Sequence, residues 1–255
     1  MARRVSRRKM PDRDAHREKE REKVDTGIFD MKTMKLLSKF YNKGIIEKLE
    51  FITARGKESD VYIASPGASE DVKGDYVIVK FFRVETSSFF KMSDYLTGDP
   101  RFSRMRLNRG NITRAWCMKE LGNLRVARAS GVSAPEPYMA NGSILAMEFI
   151  GDANGRPSPR MKETRLDDPD SFLGMVLEQA RMLYKGNLVH SDLSEYNILV
   201  HEGKPVLIDF GQAVVLKHPN ADEFLKRDIR NIVGYFNKKY SLGADYDDAL
   251  GRVTR

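Results

Sequence analysis

The sequence predicts an α+β chain that folds into two unequal lobes. The amino-terminal half contains several apolar runs with the length of β-strands, together with a helical pattern at residues 113–124. The carboxyl-terminal half contains amphipathic segments at 172–183 and 222–240 and only short apolar runs. A segment that ends in glycine, residues 148–151, joins the halves and is the expected hinge. We therefore expect an antiparallel sheet with one helix in the first lobe and a small, mainly helical second lobe.

Length, composition and charge limit the classes of protein to which the chain can belong. Its 255 residues suffice for one two-lobed domain or two small ones, and its net charge of +8 favours anionic partners such as nucleotides or RNA. The single cysteine, Cys117, excludes an internal disulfide framework and suits a reducing cytosol, so we expect a cytoplasmic protein. No apolar run approaches the length of a membrane span, and the basic amino terminus lacks the apolar segment of a signal peptide, so no membrane partner is expected.

The amino terminus divides into a basic tail and a helical extension. Residues 1–25 are expected to be a flexible tail, and ten of the first 23 residues are Lys or Arg. This composition is typical of a solvated segment, and equally of an arm that binds nucleic-acid phosphates. Residues 26–48 are expected to contain a helix that begins after Asp30 and stops at Gly44. Its apolar residues recur on one stripe: Met34, Leu37 and Phe40 or Tyr41.

Residues 49–147 are expected to form the first lobe. The segment 51–64 is typical of a strand, a tight loop and a second strand. Small residues in this loop, Gly56 and Ser59, permit a phosphate to approach the backbone closely, and the Ser59 hydroxyl can donate to it. The loop lacks the glycine spacing of a P-loop, so on its own it is weak evidence for nucleotide binding.

A lysine interrupts the apolar strand at residues 76–82. Lys80 lies on the same face of the strand as Tyr76 and Ile78, so we expect it to be buried. A buried lysine needs a neighbouring anion, because otherwise its pKa falls. Glu120 lies on the apolar stripe of the 113–124 helix, so we expect an ion pair between the two. Lys119 is one residue away from that stripe, and we interpret it as ordinary surface charge.

Residues 83–112 are expected to be a long flexible insert in the first lobe. They mix aromatic side chains with several arginines and contain a turn signal at 98–100. The segment is too long for an ordinary loop. We interpret it either as a mobile lid or as part of a partner surface.

Residues 152–255 are expected to form the second lobe. A helix with a buried face at 172–183 should end at Gly186, a favourable residue just past a helix end. In the helix at 222–240, Asp228 lies on the apolar stripe, where a carboxylate must find donors. One interpretation is that Asp228 supports the backbone around His190 and Ser191; the other is that it pairs with Lys226 or an arginine in solvent.

The stretch at residues 188–211 carries the chemistry. Apolar runs at 198–200 and 206–208 flank a turn and predict a hairpin, which brings Asn197 close to Asp209. Asp192 lies five residues before Asn197, so two carboxylates and an amide converge. Oxygen ligands of this type suit Mg²⁺, which is usually completed by water and substrate phosphates.

The same spacing matches the catalytic signature of protein kinases, H-x-D-L-x-x-x-N followed by D-F-G. Together with residues 56–62, 95–102 and 218–220, it makes the chain resemble the RIO family of atypical serine/threonine-protein kinases, and within it the first RIO subfamily. The resemblance covers residues 28–239 or so. It implies a trimmed two-lobed protein-kinase-like fold with an extra N-terminal helix.

The resemblance also implies the cofactors, partners and site residues. It implies ATP with Mg²⁺ or Mn²⁺, serine autophosphorylation or ATPase cycling, and action on a small ribosomal subunit precursor, both protein and rRNA. The implied catalytic residues are Asp192, Asp209 and Lys80, and the implied metal ligands are Asn197 and Asp209. The implied ATP-binding residues are Gly56, Lys57, Ser59, Val61, Lys80, Glu120, Met147, Glu148 and Ile150.

Two other classes of function remain as alternatives. A small-molecule phosphotransferase of the aminoglycoside-kinase type shares the H-x-D…N…D pattern, but normally has a long C-terminal helical lobe, and only 44 residues follow Gly211 here. A catalytically silent RNA-binding scaffold would suit the basic charge. The complete catalytic set argues against that scaffold.

Overall fold

The structure is a computed structural model that describes residues 29–83, 86–103 and 108–255, with the backbone alone for 86–91 and 109–110. The predicted tail at 1–25 therefore lies outside the described residues. The helices are α1 Met31–Asn42, α2 Thr86–Thr97, α3 Arg109–Ala129, α4 Pro169–Lys185, α5 Ala221–Tyr240 and α6 Tyr246–Thr254. The strands are β1 Ile46–Arg55, β2 Ser59–Pro66, β3 Val77–Phe82, β4 Pro137–Asn141, β5 Ile144–Glu148, β6 Leu188–Val189, β7 Ile198–His201, β8 Lys204–Leu207 and β9 Val214–Val215.

The first lobe contains a five-stranded antiparallel sheet in the order β1-β2-β3-β5-β4. Lys80 lies on the central strand, opposite Val61 of β2 and Leu145 of β5. Its apolar neighbours in the strand are buried, as the near-continuous apolar run predicts. The mixed α+β architecture and the antiparallel sheet expected from the sequence are confirmed.

Helix α1 packs on this sheet through the stripe that its sequence predicts. Leu37 and Phe40 are fully buried, and the Asp30 carboxylate accepts a hydrogen bond of 2.7 Å from the backbone N–H of Thr33, which caps the helix. Gly44 has φ +66°, a left-handed conformation that lets the chain reverse at once into β1. The first strand consequently starts at Ile46, slightly before the predicted domain boundary at 48/49.

The segment 83–112, for which the sequence suggests either a mobile lid or part of a partner surface, contains a packed helix. Met92, Tyr95 and Leu96 of α2 are buried in the main core. After the helix, the fully buried Asp99 accepts from the backbone and the guanidinium of Arg101 and so fixes the turn. The expectation of a flexible insert is corrected for the described part, because Met92, Tyr95 and Leu96 follow helical spacing and face the core.

The second lobe is mainly helical, as expected, but its first helix ends differently. Gly186 has φ −75°, and the left-handed residue is Asn187, with φ 63°. Glycine is needed at 186 for a steric reason, since a Cβ there would lie 2.0 Å from the Ser130 hydroxyl oxygen. Among the described helices, none combines the length and the apolar character that a membrane crossing requires.

Helix α3 connects the two lobes through a shared core. Its buried residues belong to one apolar cluster that also includes Phe82 and Met147 of the sheet and Phe210 and Ile229 of the second lobe. The helix is buried on more than one side, because α2 and the second lobe cover the faces that the sheet leaves open.

Candidate active site

The predicted hairpin is formed by β7 and β8 and brings the polar residues together. Ile198 pairs with Leu207, and the N–H of Ile208 donates to the Asn197 carbonyl over 3.0 Å. Asn197 and Asp209 therefore stand at the open end of one hairpin, as the sequence predicts. Asp209 has φ +64°, a left-handed conformation that is rare for a non-glycine residue and is typical of functional loops.

Lys80 lies between two carboxylates. Its ammonium nitrogen is 2.9 Å from both carboxylate oxygens of Glu120 and 3.0 Å from Oδ1 of Asp209. The predicted ion pair with Glu120 is confirmed, and it is almost fully buried. Burial alone would lower the pKa of Lys80, but the charges of Asp209 and Glu120 outweigh it and raise that pKa above the ordinary value. Lys80 is therefore a permanent cation, buried between helix α3 and the loop that carries Asp209.

Asp209 is the exposed member of this group. Its side chain is 50% exposed, whereas that of Glu120 is 1% exposed. The ammonium group of Lys80 holds the pKa of Asp209 below its usual range, so Asp209 is an anion at neutral pH. An exposed, permanently ionised carboxylate would be able to hold a divalent cation whose coordination phosphates and water complete.

Asp192 is oriented by two amides. Its Oδ2 accepts from Nδ2 of Asn197 over 3.2 Å and from Nε2 of Gln212 over 3.0 Å, and Asn197 Nδ2 also donates to the Asp192 carbonyl. The sequence predicts the approach of Asn197, but Gln212 was missed. Its only signal is its place directly after Asp209-Phe210-Gly211. These hydrogen bonds from the two side-chain amides orient the carboxylate without neutralising its charge. Asp192 therefore remains able to accept a proton.

The backbone that presents Asp192 is held by the fifth helix. Ser191 has φ +64°, and its N–H donates to Asp228 over 2.7 Å, while the N–H of Leu193 donates to the other oxygen of Asp228 over 3.0 Å. The guanidinium of Arg227 donates to the Ser191 carbonyl. Asp228 is 2% exposed, so the interpretation that it pairs with a basic residue in solvent is wrong. The interpretation that it supports the backbone around Ser191 is confirmed. Lys226 instead pairs with Asp222.

His190, the first residue of the signature, is buried and neutral. Its Nε2 donates to the Ile208 carbonyl over 3.1 Å, and its ring packs against Phe210. Nδ1 is buried and has no hydrogen-bond partner among the described residues, so a proton there would be unpaired. Burial accordingly lowers the pKa of His190 to about 4 against the opposing charge of Asp209.

The low pKa of His190 predicts a loss of stability in acid. The unfolded chain, with the histidine pKa near its usual value, binds more protons than the folded chain between pH 6.5 and 4, so stability is present at neutral pH and falls as the pH drops through that window. The loss is about 3 kcal/mol over the window, at about 1.4 kcal/mol per pH unit. Urea unfolding at several pH values should show that His190→Gln removes this part of the acid sensitivity. Parallel stability profiles for wild type and variant would contradict the assignment.

The loop between β1 and β2 is closed by an arginine. The guanidinium of Arg83, at the end of β3, donates to the Gly56 carbonyl over 2.6 Å and pairs with Asp60. The loop also closes on itself, because the Gly56 N–H donates to the Ser59 carbonyl over 2.8 Å. Lys57 is exposed at the tip. The loop is thus a fixed rim above the strand of Lys80, but phosphate binding by Gly56, Lys57, Ser59 and Val61 stays a prediction.

Two backbone groups of the hinge segment already form hydrogen bonds within the fold. The N–H of Glu148 donates to the Glu136 carbonyl over 2.8 Å, and the carbonyl of Ile150 accepts from Ser158 over 3.0 Å. The Glu136 N–H bonds the Glu148 side chain rather than its carbonyl. A purine could therefore pair with the Glu148 carbonyl and the Ile150 N–H, with buried Met147 behind it; this role also stays a prediction.

Lys119 contradicts its predicted place on the surface. It is fully buried, and its ammonium nitrogen donates to the carbonyls of Gly211 and Ala213. Asn123, one turn later, is also fully buried and donates to the carbonyls of Phe210 and Ala213. The sequence interpretation assumed one buried stripe, whereas α3 is covered on several sides, so its polar residues face the loop that carries Asp209.

The residues present fit a divalent cation that arrives with a nucleotide. Within the described ranges, no cluster of three or more His, Cys, Asp or Glu side chains could hold a metal by itself. Asp209 offers carboxylate oxygen, and Asn197, whose amide nitrogen bonds Asp192, offers its amide oxygen. Two hard oxygen donors suit Mg²⁺ or Mn²⁺ when phosphates and water complete the coordination.

Comparisons with known proteins decide the family. Residues 60–249 match the RIO domain family. The RIO-type serine/threonine-protein kinase Rio1 of Haloferax volcanii is 39% identical over 248 residues, which cover 96% of this chain and 82% of that protein. The chain belongs to the RIO kinase family. Rio1 of Methanocaldococcus jannaschii, another RIO kinase, is 38% identical over 235 residues, covering 91% of this chain and 77% of that protein.

A solved RIO kinase shares the fold. The Rio2 kinase–ADP/Mg²⁺–phosphoaspartate complex from Chaetomium thermophilum aligns with a TM-score of 0.62 at 23% identity, covering 86% of this chain and 66% of that chain. The two-lobed kinase fold expected from the sequence is thereby confirmed. The RIO relatives are named as serine/threonine-protein kinases, so the expectation of a phosphotransferase is confirmed as well.

Proposed function

We propose that this RIO kinase binds ATP with Mg²⁺ or Mn²⁺ between its lobes and transfers the γ-phosphate to serine, including its own, or to water in an ATPase cycle. The observation that carries the proposal is the direct contact of Lys80 with both Glu120 and Asp209, beside an Asp192 carboxylate held by Asn197. In this proposal Lys80 is the fixed cation, Asp209 is the anion that holds the metal, and Asp192 is the proton acceptor. Phosphoryl transfer needs these parts and little covalent chemistry from the protein.

Each side chain has a separate task in this proposal. Lys80, oriented by buried Glu120, binds the phosphates, and Asp209 and Asn197 would hold the cation. A cation bound there would neutralise the charge that develops on the phosphates. Asp192 accepts the proton of the attacking hydroxyl or water, and Gln212 keeps its carboxylate in place. The rim at Gly56 and the hinge at Glu148 would position the nucleotide.

A γ-phosphate transfer assay tests the proposal. Purified protein with γ-labelled ATP, with Mg²⁺, Mn²⁺ or EDTA, should label its own serine residues or release phosphate only when a divalent cation is present. Addition of small-subunit precursors should raise the turnover. Label that appears on an aminoglycoside or another small molecule would instead favour the small-molecule phosphotransferase, and the absence of any transfer would favour the RNA-binding scaffold.

We further propose that the physiological partner is a small ribosomal subunit precursor and that the protein acts in the cytoplasm. The net charge of +8 supports an RNA-containing partner, and the fully buried Cys117 suits a reducing compartment. Residues 1–25, which contain ten of the 44 lysines and arginines, lie outside the described residues. The proposal of this partner therefore rests on the sequence and on the family resemblance.

The basic arm gives this partner a measurable signature. Replacing the Lys and Arg residues of 3–23 by Gln is expected to weaken association with small-subunit precursor RNA and to leave ATP turnover unchanged. Binding by the wild type should fall with salt, with a slope of about −0.7 to −0.9 in log–log form for each phosphate neutralised. Filter binding over a salt series measures this slope. If wild type and the Gln variant had equal affinities and equal salt slopes, the basic arm would not take part in RNA binding.

A further inference from the structure

Four hydrogen bonds tie helix α3 to the loop of the metal-binding aspartate. Lys119 donates to the carbonyls of Gly211 and Ala213 over 2.9 and 2.5 Å, and Asn123 donates to those of Phe210 and Ala213, both over 2.8 Å. The two side chains lie one helical turn apart, so they reach the same stretch of backbone. Glu120 of the same helix binds Lys80, which in turn binds Asp209, so α3 is linked to Asp209 both through Lys80 and through the backbone that follows it.

The burial of Lys119 shows that these bonds replace its hydration. The residue is 0% exposed, and its ammonium lies 5.3 Å from the ring of Trp116 and 5.9 Å from that of Tyr95. Burial lowers the pKa of Lys119 to about 7, opposed by the carboxylate of Asp99. The charged and the neutral amine both have N–H groups for the two carbonyls, so the contact does not depend on the charge.

The loop also lies close against the helix. A Cβ at Gly211 would lie 2.8 Å from Nε1 of Trp116 and 3.3 Å from Glu120, so the backbone already touches the helix on this side. The bonds from Lys119 and Asn123 prevent it from moving away. Asp209 needs such restraint, because its left-handed backbone costs energy that the surroundings must supply.

We propose that Lys119 and Asn123 are positioning residues that hold the Asp209-Phe210-Gly211 backbone in the cation-binding conformation before the nucleotide arrives. The inference rests on the proposed function, since it assigns these residues an effect on cation binding through Asp209. Loss of either side chain therefore reduces the gain in nucleotide affinity that the divalent cation provides. The affinity for nucleotide without the cation is unchanged.

Titration of ADP in the presence of Mg²⁺ or EDTA separates these two parts. Lys119→Met and Asn123→Leu remove the donors and keep much of the side-chain volume, and Arg125→Met removes an exposed cation from the same helix as a matched control. In the wild type and the control, Mg²⁺ should strengthen ADP binding. In the two test variants that gain should fall by about tenfold, the effect expected from losing one or two hydrogen bonds, with unchanged affinity in EDTA.

Hydrogen exchange provides the second readout. Faster exchange of the amides at 210–213 in Lys119→Met, with unchanged protection of α4 and α5, supports a local positioning role. An unchanged Mg²⁺-dependent gain in both variants overturns the inference, as does uniformly faster exchange or loss of the fold, because these outcomes indicate general packing. A wild-type protein in which Mg²⁺ adds nothing to ADP binding would overturn the proposed function instead.

Discussion

Replacement of Asp192 by Asn is expected to lower kcat for γ-phosphate transfer by about 10²–10⁴-fold, the usual contribution of a general base. The amide that replaces the carboxylate cannot take up the proton of the attacking hydroxyl, yet its oxygen can still accept from Asn197 and Gln212. The local geometry should therefore survive, and the KM for ATP should change little. Single-turnover kinetics with labelled ATP measures the chemical step directly.

The effect of Asp192→Asn needs a control for changes of charge near the site. Glu202→Gln removes a carboxylate from the exposed turn of the β7–β8 hairpin and should leave kcat within about twofold of wild type, since exposed charges contribute little. A kcat of Asp192→Asn that is equally close to wild type would remove Asp192 from the proposed mechanism and leave only nucleotide binding to the cleft.

The second large effect is expected from Asp228→Ala. This change leaves the buried N–H groups of Ser191 and Leu193 without their acceptor, at about 1–3 kcal/mol for each lost partner. The two losses together, about 2–6 kcal/mol, are a large share of the 5–15 kcal/mol typical of a domain. Turnover should fall as well, because Ser191 in its left-handed conformation presents Asp192 and depends on these contacts.

Chemical denaturation and kcat, measured where the variant is still folded, test both parts of the Asp228 prediction. Asp222→Ala on the same helix is the matched control: its carboxylate is 77% exposed and pairs with Lys226, so its loss should cost less than about 1 kcal/mol. An Asp228→Ala protein as stable and as active as this control would refute the supporting role. Reduced stability with unchanged kcat in the folded fraction would limit Asp228 to the fold.

The parts of the site that the sequence predicts depend on local periodicity. The β7–β8 hairpin follows from two apolar runs around a turn, and it places Asn197 beside Asp209 without help from the rest of the chain. Lys80 and Glu120 were paired because each interrupts an apolar pattern and each needs a partner. Asp228 follows from the same reasoning, since a carboxylate on an apolar stripe must find donors.

The missed parts depend on which elements pack together. A single apolar stripe on α3 predicts that Lys119 lies on the surface, whereas α2 and the loop after Asp209 cover the other faces of the helix. The sequence does not predict α2, because the aromatic residues of the 83–112 segment are interspersed with a turn signal and arginines that lie outside the helix. Gln212 and Arg83 act on segments brought near them by the tertiary fold, so no pattern in the neighbouring sequence indicates their contacts.

The central claim is that one cleft binds a divalent cation and the phosphates of ATP together through Asp209 and Asn197. Electron paramagnetic resonance of Mn²⁺ with a non-hydrolysable ATP analogue tests it most directly, since coupling to phosphorus reports phosphate bound to the metal. Wild-type protein is expected to bind the Mn²⁺–nucleotide complex with this coupling, and Asp209→Asn and Asn197→Leu are expected to weaken that binding by about tenfold or more. Equal Mn²⁺–nucleotide binding by wild type and both variants would contradict the claim.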